Sequence, residues 1–440
     1  MFLPQNIARL YAIYATLAVL LLASLMPPMQ NADEAAHAFR ADQISHAGWQ
    51  GVLLPDGEFG GTVDTGLIEL AKGTLALPGH PGTKATPSMF VPRAWGQPAL
   101  AGFPNTAINP PLFYLPASLT ARLTRARGTS LPHAFVLMRV ATGLVSVVIG
   151  SAAIALAGDA AIWLFTILLL PMSLALGAAV SQDAPMLAFA ALATAVYLRL
   201  CKPGSARPVL AYAAMCLLLA AIAMARPPYV AFAVLAATAP VNPRVRAAGV
   251  AFILACALGW TWRNAGYLPM PVREGGIVSP HAQMIALLTH FWRVPVLILN
   301  TLRENGDNLA RGFIGELGWL DTDIPAFYHR IAWCGLALAA LCTWRIQRPP
   351  RRIWEALAIL ASIAGLGLAQ YMTWTVIGGP IVQGLQGRYF LVPAILSVIL
   401  WSNAELPAGR FWRWPILLLL LFPIVTIPVT VNAVFLRYYL

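Results

Sequence analysis

The chain has 440 residues, of which 59% are hydrophobic and only 10% are charged. Soluble domains carry about 25% charged residues. A water-soluble fold could not bury this much apolar surface, so lipid must be the solvent for a large part of the chain. The composition therefore excludes an ordinary soluble enzyme or binding module.

The net charge is +12, from 29 Lys and Arg residues against 17 Asp and Glu residues. In a soluble protein this excess would suggest a nucleic-acid partner. Here the basic residues lie mainly in short loops between apolar runs, which is typical of a multi-pass membrane protein. We therefore predict no nucleic-acid partner. The five cysteines lie in or beside apolar segments without the spacing of a zinc site or a disulfide framework.

Eleven apolar segments are predicted to cross the membrane. They cover residues 10–26, 134–157, 160–179, 184–200, 208–225, 227–241, 247–262, 331–346, 353–371, 389–403 and 414–434. The first has a basic flank at Arg9 but no small-residue cleavage site before Pro27-Pro28, so we interpret it as an uncleaved helix. The sequence predicts one all-α polytopic membrane domain over residues 1–440.

The charges of the loops predict the orientation. With the N-terminus in the cytoplasm, each short cytoplasmic loop carries at least two basic residues, except the tight Gly158-Asp159 turn. These basic residues are Arg199, Lys202, Arg207, Arg244, Arg246, Arg345, Arg348, Arg351, Arg352, Arg410 and Arg413. The long segments 27–133 and 263–330 then lie outside, in the periplasm or its equivalent.

One further stretch, residues 284–302, is apolar enough to be considered a span. It contains His290, Arg293 and Pro295, which are costly in lipid. Counting it as a crossing would also place the Arg345–Arg352 cluster outside. We therefore interpret it as an interfacial or re-entrant helix.

Unusual polar clusters lie only at the predicted outer ends of helices or in outer loops. They are Asp33-Glu34 with His37, Ser181-Gln182-Asp183, Arg226-Pro227-Pro228-Tyr229, residues 318–323, Thr373-Trp374-Thr375 and Gln386-Gly387-Arg388-Tyr389-Phe390. The predicted cytoplasmic loops contain mainly topology-setting arginines. This asymmetry indicates a site at the outer boundary between membrane and water.

Asp33, Glu34 and His37 form the sharpest of these clusters and are the candidate catalytic residues. After the Pro27-Pro28 break, the sequence predicts a short helix with Asn31 as N-cap and Glu34 as its capping-box partner. On that helix Asp33 and His37 share one face, while Glu34 is offset by about 100°. The two acids could equally serve only to complement the helix N-terminus.

Three arginines are candidates for binding a phosphate. Arg388 and Arg226 each open a segment from the outer side, and a planar guanidinium suits a pair of phosphate oxygens. Simple anchoring at the membrane interface is an equal alternative for both. Arg139 lies inside the second span near its outer end, where it needs a partner. Asp183, Asp321, Tyr229, Gln386 and Tyr389 are expected in supporting roles.

Asp321-Thr322-Asp323 spells a DxD triplet, which in nucleotide-sugar enzymes holds a metal-bound diphosphate. Its predicted outer location argues against that use, since nucleotide sugars are cytoplasmic. We favour a turn-forming role, or a supporting role at the site. The first outer segment also contains Pro pairs and aromatics at 105–123, typical of an interfacial helix. Residues 73–104 are expected to form an irregular loop, a lid or a contact for the acceptor.

The motifs PPMQNADEAAHAFRADQISHAG, NPPLFYLP, SQDA, RPPY, GELGWLDTDIP and QGRYFLVP together resemble an uncharacterised family of bacterial polytopic membrane proteins. That family is similar to the C-type glycosyltransferase superfamily (GT-C). The resemblance runs from the first predicted span to the tenth.

The resemblance implies a membrane enzyme that transfers a sugar from a polyprenyl-phosphate donor to a glycan or lipid acceptor of the cell envelope. In that superfamily an acidic residue of the first outer loop acts at the catalytic centre, and Asp33 is the position that matches it. Asp33 would be the general base of a single, inverting displacement, with Arg388, Arg226 or Arg139 on the phosphate. Some C-type enzymes use a divalent metal such as Mg or Mn, for which Asp33, Glu34 and His37 are the candidate ligands.

Two other classes remain open. A lipid-linked-sugar flippase or transporter would place polar residues near the midplane, often in repeated halves, and no repeat is visible here. A non-catalytic assembly protein of the envelope would keep the fold and dispense with Asp33.

Overall fold

The computed structural model describes residues 3–55, 57–202, 204, 207–267, 272–273, 276–344, 352–402 and 412–440. Nineteen α-helices lie in these ranges. The first eleven are α1 (Pro4–Leu25), α2 (Glu34–Ser45), α3 (Thr65–Lys72), α4 (Pro104–Ala107), α5 (Leu115–Ala126), α6 (Leu131–Leu156), α7 (Ala160–Leu168), α8 (Pro171–Gly177), α9 (Asp183–Leu200), α10 (Pro208–Ala225) and α11 (Ala233–Thr238). The remainder are α12 (Pro243–Asn264), α13 (Pro280–Thr289), α14 (Val294–Ile314), α15 (Ala326–Thr343), α16 (Arg352–Thr373), α17 (Leu391–Ser397), α18 (Arg413–Leu421) and α19 (Pro423–Tyr438).

The helices follow from long apolar runs that proline and polar residues interrupt. Pro208, Pro243 and Pro280 open α10, α12 and α13, where the missing N–H of proline costs no helical hydrogen bond. Short 3₁₀ turns lead into others, including Pro111–Tyr114 before α5, Pro227–Phe232 before α11 and Gly387–Phe390 before α17.

The chain is an all-α polytopic membrane protein, as predicted. In the described ranges, eight helices are long and apolar enough to cross a membrane, or up to ten if each of two bent pairs counts as one span. The predicted spans at 227–241 and 389–403 fall on shorter apolar helices, Pro227–Thr238 and Gly387–Leu400. The predicted span at 160–179 is α7 and α8, bent by 68°.

Residues 284–302 do not form one straight crossing. Helices α13 and α14, joined by the turn Phe291–Arg293, are bent by 89°. The Gln283 side chain holds the start of this elbow against the end of α16, because its amide donates to Tyr371 O and its carbonyl oxygen accepts from Gly378 N at 2.8 Å. A pair bent in this way is either a broken span or a re-entrant loop, so the re-entrant helix stays a prediction.

The first long segment contains a small sheet that the sequence pattern did not predict. Strands β1 (Val52–Leu53), β2 (Phe59–Asp64) and β3 (Pro98–Gly102) form an antiparallel sheet in that order. Elsewhere in the described ranges, the two-residue strands β4 to β7 (Val272–Arg273, Gly276–Ile277, Glu316–Leu317 and Thr322–Asp323) pair as β4 with β5 and β6 with β7. The first long segment has an apolar core of its own, which includes Phe59 and Leu67 and packs against Phe135 at the start of α6.

The stretch 73–104 is fixed in place. Ala85 N donates to Tyr438 O at 2.8 Å, and Arg437 Nη2 donates to Leu77 O at 2.7 Å. Lys84 Nζ also donates to the carbonyl oxygen of Leu436 at 2.9 Å. The end of α19 therefore ties this loop to the bundle.

The six polar clusters all meet at one end of the bundle. The segment after α1 accepts hydrogen bonds from four other parts of the chain. The donors are Arg139 in the first half of α6, Val180 just before α9, Arg388 in the 3₁₀ turn before α17 and Trp319 between β6 and β7. The opposite end carries the basic residues Arg199, Arg207, Arg244, Arg246 and Arg352 at helix ends. Arg345, Arg348, Arg351 and Arg410, which the charge argument also uses, lie outside the described residues.

Candidate functional site

A cavity of about 250 Å³ opens at the end of the bundle where the polar clusters meet. Its charged, aromatic and imidazole lining is Asp33, His37, Asp183, Arg226, Trp374, Arg388 and Tyr389. Its neutral polar lining is Asn105, Thr106, Asn109, Gln182, Gln370, Thr373 and Gln386. Apolar residues form the remainder: Ile108, Ala225, Pro227, Pro228, Leu366, Ala369 and Gly384.

Asp33 reaches the cavity because of an unusual backbone conformation. It precedes α2 with φ of 58°, in the left-handed region that asparagine and aspartate tolerate better than most residues. Its side chain makes no capping hydrogen bond to the helix. Instead Asp33 Oδ2 accepts from Arg388 Nη2 at 2.6 Å, and the side chain remains 35% exposed. Asp33, and not the predicted Asn31, is therefore the N-cap position.

Glu34 points away from the cavity and pairs with Arg139. Both side chains are fully buried, and Arg139 donates to Glu34 through Nε at 2.8 Å and Nη2 at 2.6 Å. Its remaining N–H groups donate to the carbonyl oxygens of Ala23, Met26 and Pro27 at the end of α1. All five donors of this guanidinium are thus used.

This pairing changes two of the predicted roles. Arg139 cannot reach a phosphate in this structure, because it has no free donor and no exposed surface. Glu34 is also engaged on both oxygens, by Arg139, by Val180 N at 3.0 Å and by Asn31 N at 3.2 Å. The bond from Asn31 N to the Glu34 carboxylate is the one predicted for a capping-box glutamate. The pair joins the end of α1 to α6 and lies behind the cavity wall.

The two arginines that do line the cavity form an ion-pair ladder with the two aspartates. Arg388 Nη1 lies 3.6 Å from Asp183 Oδ2, in addition to its bond with Asp33. Arg226 Nη2 donates to Asp183 Oδ1 at 3.2 Å. Two cationic and two anionic side chains, from four distant parts of the chain, therefore alternate along one wall.

Tyr389 and Tyr229 set the positions of these arginines. The Arg226 guanidinium lies 4.2 Å from the centre of the Tyr389 ring, a cation–π distance. The buried Tyr229 hydroxyl donates to Tyr389 O at 2.7 Å. Gly387 allows this turn to approach α14, since a Cβ there would clash with the backbone at Leu309. Tyr229 supports the site from behind, and Tyr389 lines it.

His37 is held by two residues that the sequence did not single out. Its Nδ1 lies 2.6 Å from the Tyr114 hydroxyl oxygen, to which Asn109 Nδ2 donates at 2.9 Å. Burial lowers the pKa of His37 below its usual value, and burial raises the pKa of Tyr114. The signal available in the sequence was the NPPLFY motif, which contains both partners, but its residues were predicted only to form an interfacial helix.

Several buried polar atoms at the cavity have no partner in the described part of the chain. They are Oε1 of Gln182, Oε1 of Gln386 and Nε of Arg388. Buried polar atoms are nearly always hydrogen-bonded in folded proteins. All three atoms are enclosed by protein, as are the unpartnered Nε atoms of Arg125 and Arg437 elsewhere in the described ranges, so they do not by themselves mark a ligand site.

Asp321 lies outside the cavity. Its Oδ2 accepts from Arg437 Nη2 at 2.7 Å and from Gly79 N at 3.2 Å, and its Oδ1 accepts from Trp319 N. The favoured turn-forming role fits this geometry, whereas a supporting role at the site does not. Residues 73–104 likewise do not line the cavity, so the predicted lid or acceptor contact is not seen.

The residues proposed as metal ligands do not converge. Asp33 and His37 face the cavity, but Glu34 is turned towards Arg139 on the other side of the helix. Among the residues that the structure describes, no three His, Cys, Asp or Glu side chains are grouped closely enough to hold a metal ion. The donor set therefore does not fit a divalent metal, and we derive no step through one.

Fold and cavity together define a class of protein: a helical, multi-pass membrane protein with a charged site at one end of its bundle. The chain belongs to the family described as predicted membrane protein (DUF2142), whose model matches residues 16–398. No curated protein and no solved structure matches the chain.

Proposed function

We propose that this protein is a membrane glycosyltransferase that moves a sugar from a polyprenyl-phosphate donor to a glycan or lipid acceptor of the cell envelope. The observation that carries the proposal is the ladder of Asp33, Arg388, Asp183 and Arg226 in a cavity whose lining is part polar and part apolar. Such a lining suits a ligand with a charged head and an apolar tail.

The phosphate of the donor is assigned to Arg388 and Arg226. Both arginines line the cavity. A planar guanidinium binds phosphate oxygens in pairs. Positive charge held at the leaving phosphate stabilises the negative charge that develops there as the sugar departs.

Asp33 is assigned as the general base. It is the acid of the cavity with the more accessible side chain, 35% exposed against 5% for Asp183. The acceptor hydroxyl would give its proton to Asp33 while its oxygen forms a bond to the anomeric carbon. The bond from that carbon to the phosphate oxygen breaks, and its electron pair leaves with the lipid phosphate. One displacement of this kind inverts the anomeric centre.

The neutral polar lining of the cavity is assigned to the sugar and the acceptor. Amide side chains such as Gln182, Gln370 and Gln386 offer both donors and acceptors, as sugar hydroxyls require. Pro227, Pro228 and Leu366 provide apolar surface beside the phosphate site, which suits the start of a polyprenyl chain.

The proposed location is the periplasmic face of a bacterial inner membrane. The cavity lies at the end of the bundle opposite to Arg199, Arg207, Arg244 and Arg352. Because positively charged loops remain in the cytoplasm, the cavity end would face the periplasm.

The test is transfer of labelled sugar from a panel of polyprenyl-phosphate sugars in membranes containing the protein. Wild type should transfer sugar from one donor, and Asp33→Ala and Arg388→Ala should each lose at least about 100-fold in rate. Asp307→Ala is the matched control, since Asp307 is 82% exposed on α14 and should leave transfer unchanged.

Equal transfer by wild type, Asp33→Ala and Arg388→Ala would overturn the assigned site. If no donor supports transfer but vesicles show protein-dependent movement of a lipid-linked sugar, a flippase is the better interpretation. If neither activity occurs and Asp33→Ala still supports envelope glycan assembly in cells, a non-catalytic assembly role is the better interpretation.

A further inference from the structure

His37 connects the cavity to a buried hydrogen-bonded chain. Its Nδ1 is directed at the hydroxyl of Tyr114, which does not line the cavity, whereas His37 itself does. Across the ranges that the structure describes, the other ring nitrogen, Nε2, makes no hydrogen bond to protein. The Nε2 edge is therefore the part of the ring that remains for a ligand.

The protons of this chain can be counted. Asn109 Nδ2 donates to the Tyr114 oxygen, and across the described ranges the hydroxyl has one further neighbour, His37 Nδ1. A phenol oxygen can accept twice, but the Tyr114 proton finds a protein acceptor only if it is directed at His37 Nδ1. Tyr114 keeps that proton, because burial raises its pKa. His37 Nδ1 is therefore an acceptor and carries no proton.

An imidazole ring with a bare Nδ1 is neutral and carries its one proton on Nε2. Burial acts in the same direction, because it lowers the pKa of His37.

We propose that His37 is a neutral hydrogen-bond donor, locked by Tyr114 as the Nε2–H tautomer, and that it donates to an oxygen of a phosphate ester bound in the cavity. The second half of the proposal rests on the proposed function. His37 then acts neither as the general base nor as a metal ligand through Nε2, because its lone pair lies on Nδ1 and is already engaged.

The chain that holds His37 is anchored independently of any ligand. Arg40 donates to Asn109 O through Nε at 3.2 Å and Nη2 at 2.9 Å. The other donors of this buried guanidinium are bound by Gln43 Oε1 and by the carbonyl oxygens of Gly48 and Trp49. Asn109 and Tyr114 are thus positioning residues, and the donor is in place before the ligand arrives.

A neutral donor also suits the charge balance of the site. Arg226 and Arg388 already face Asp33 and Asp183, so cations and anions are equal in number on that wall. His37 can add a third donor for phosphate oxygens without adding a charge. It also leaves Asp33 free to accept a proton, since His37 does not compete for it.

The tautomer can be measured without any assay of activity. The full chain is labelled with ¹⁵N-histidine in detergent micelles, and His37 is assigned among the seven histidines by the signals lost in His37→Gln. We expect a protonated Nε2 and a bare Nδ1 that stays bare when the pH falls to the ordinary pKa of histidine, about 6.5. In Tyr114→Phe the ring should become a mixture of tautomers. A protonated Nδ1 with a bare Nε2 would overturn the proposal.

The donor role is tested by binding of polyprenyl phosphate to the same preparations. His37→Ala should bind about 10- to 100-fold more weakly, because a hydrogen bond to a charged group is lost. His37→Gln, which offers an N–H at a similar distance from the backbone, should recover most of the affinity. Tyr328→Phe is the matched control, since it removes a buried tyrosine hydroxyl that bonds Thr426, and neither residue lines the cavity.

The outcomes separate the two proposals. If wild type binds polyprenyl phosphate and His37→Ala binds it equally well, the donor role is overturned while the proposed function stands. If wild type does not bind polyprenyl phosphate, the proposed function and the phosphate donation fail together, and the nitrogen spectra still decide the tautomer.

Discussion

Glu34 and Asp33 are adjacent acids with different surroundings. Glu34 is enclosed with Arg139, whereas Asp33 is partly exposed in the cavity and bonded to Arg388. The sequence could not say which acid is the base. The two pairings support the proposal of Asp33 as the base, and they place Glu34 at the join between α1 and α6.

Removal of one partner of this buried pair should destabilise the protein. Glu34→Gln leaves the Arg139 charge buried without a counter-ion, so we expect the free energy of unfolding to fall by about 3–5 kcal/mol. Thermal unfolding in detergent measures this loss. Replacement of both partners, Glu34→Gln with Arg139→Met, should restore part of the stability because no unpaired charge remains.

The control is Asp307→Asn, which breaks the exposed ion pair of Asp307 with Arg311 on α14. Exposed pairs contribute about 0–1 kcal/mol, so its melting temperature should change little. If Glu34→Gln unfolds at the wild-type temperature but loses transfer, Glu34 belongs to the catalytic chemistry and the assignment to Asp33 is wrong.

At the scale of elements, apolar length predicted the spans well. Whether about 20 residues are apolar is a local property of the sequence, so α1, α6 and α16 lie where expected. The bent pairs were harder to predict, because a turn within an apolar run depends on what the two halves pack against. The 89° bend at Phe291–Arg293 is of this kind.

The elements of the first outer segment were predicted less well. Strand β2 contains Gly60 and Gly61, so it lacks the alternation of apolar and polar residues that marks a strand. Its partner β3 lies about 40 residues further along the chain, so no short hairpin indicates the pairing. The predicted helix over 105–123 is broken by Asn109-Pro110-Pro111 into α4, a 3₁₀ turn and α5. This break places Asn109 beside Tyr114 and makes the chain to His37 possible.

The sequence could not predict which residues of distant elements pair with one another. Arg139 and Glu34 are 105 residues apart, and Arg388 and Asp33 are 355 apart. All three candidate arginines had the same predicted location at outer helix ends. Only packing distinguishes Arg139, enclosed by the end of α1, from Arg226 and Arg388, which line the cavity.

At the scale of the whole molecule, the proposed orientation has a direct test. In a chain whose five cysteines are replaced, Leu75→Cys marks the cavity end and Arg207→Cys marks the opposite end, and both positions are exposed. In bacterial cells whose outer membrane is permeabilised and whose inner membrane is intact, a thiol reagent that cannot cross membranes should label Leu75→Cys alone. Labelling of Arg207→Cys alone would reverse the topology and place the cavity in the cytoplasm.

The most direct test of the central assignment separates binding from turnover in Asp33→Asn. This change keeps the size of the side chain and removes the carboxylate that pairs with Arg388. Polyprenyl-phosphate sugar should therefore bind at least as tightly as to wild type, while single-turnover transfer falls by about 10²–10⁴-fold because the base is lost. Transfer by Asp33→Asn at the wild-type rate would contradict the assignment of Asp33 as the base.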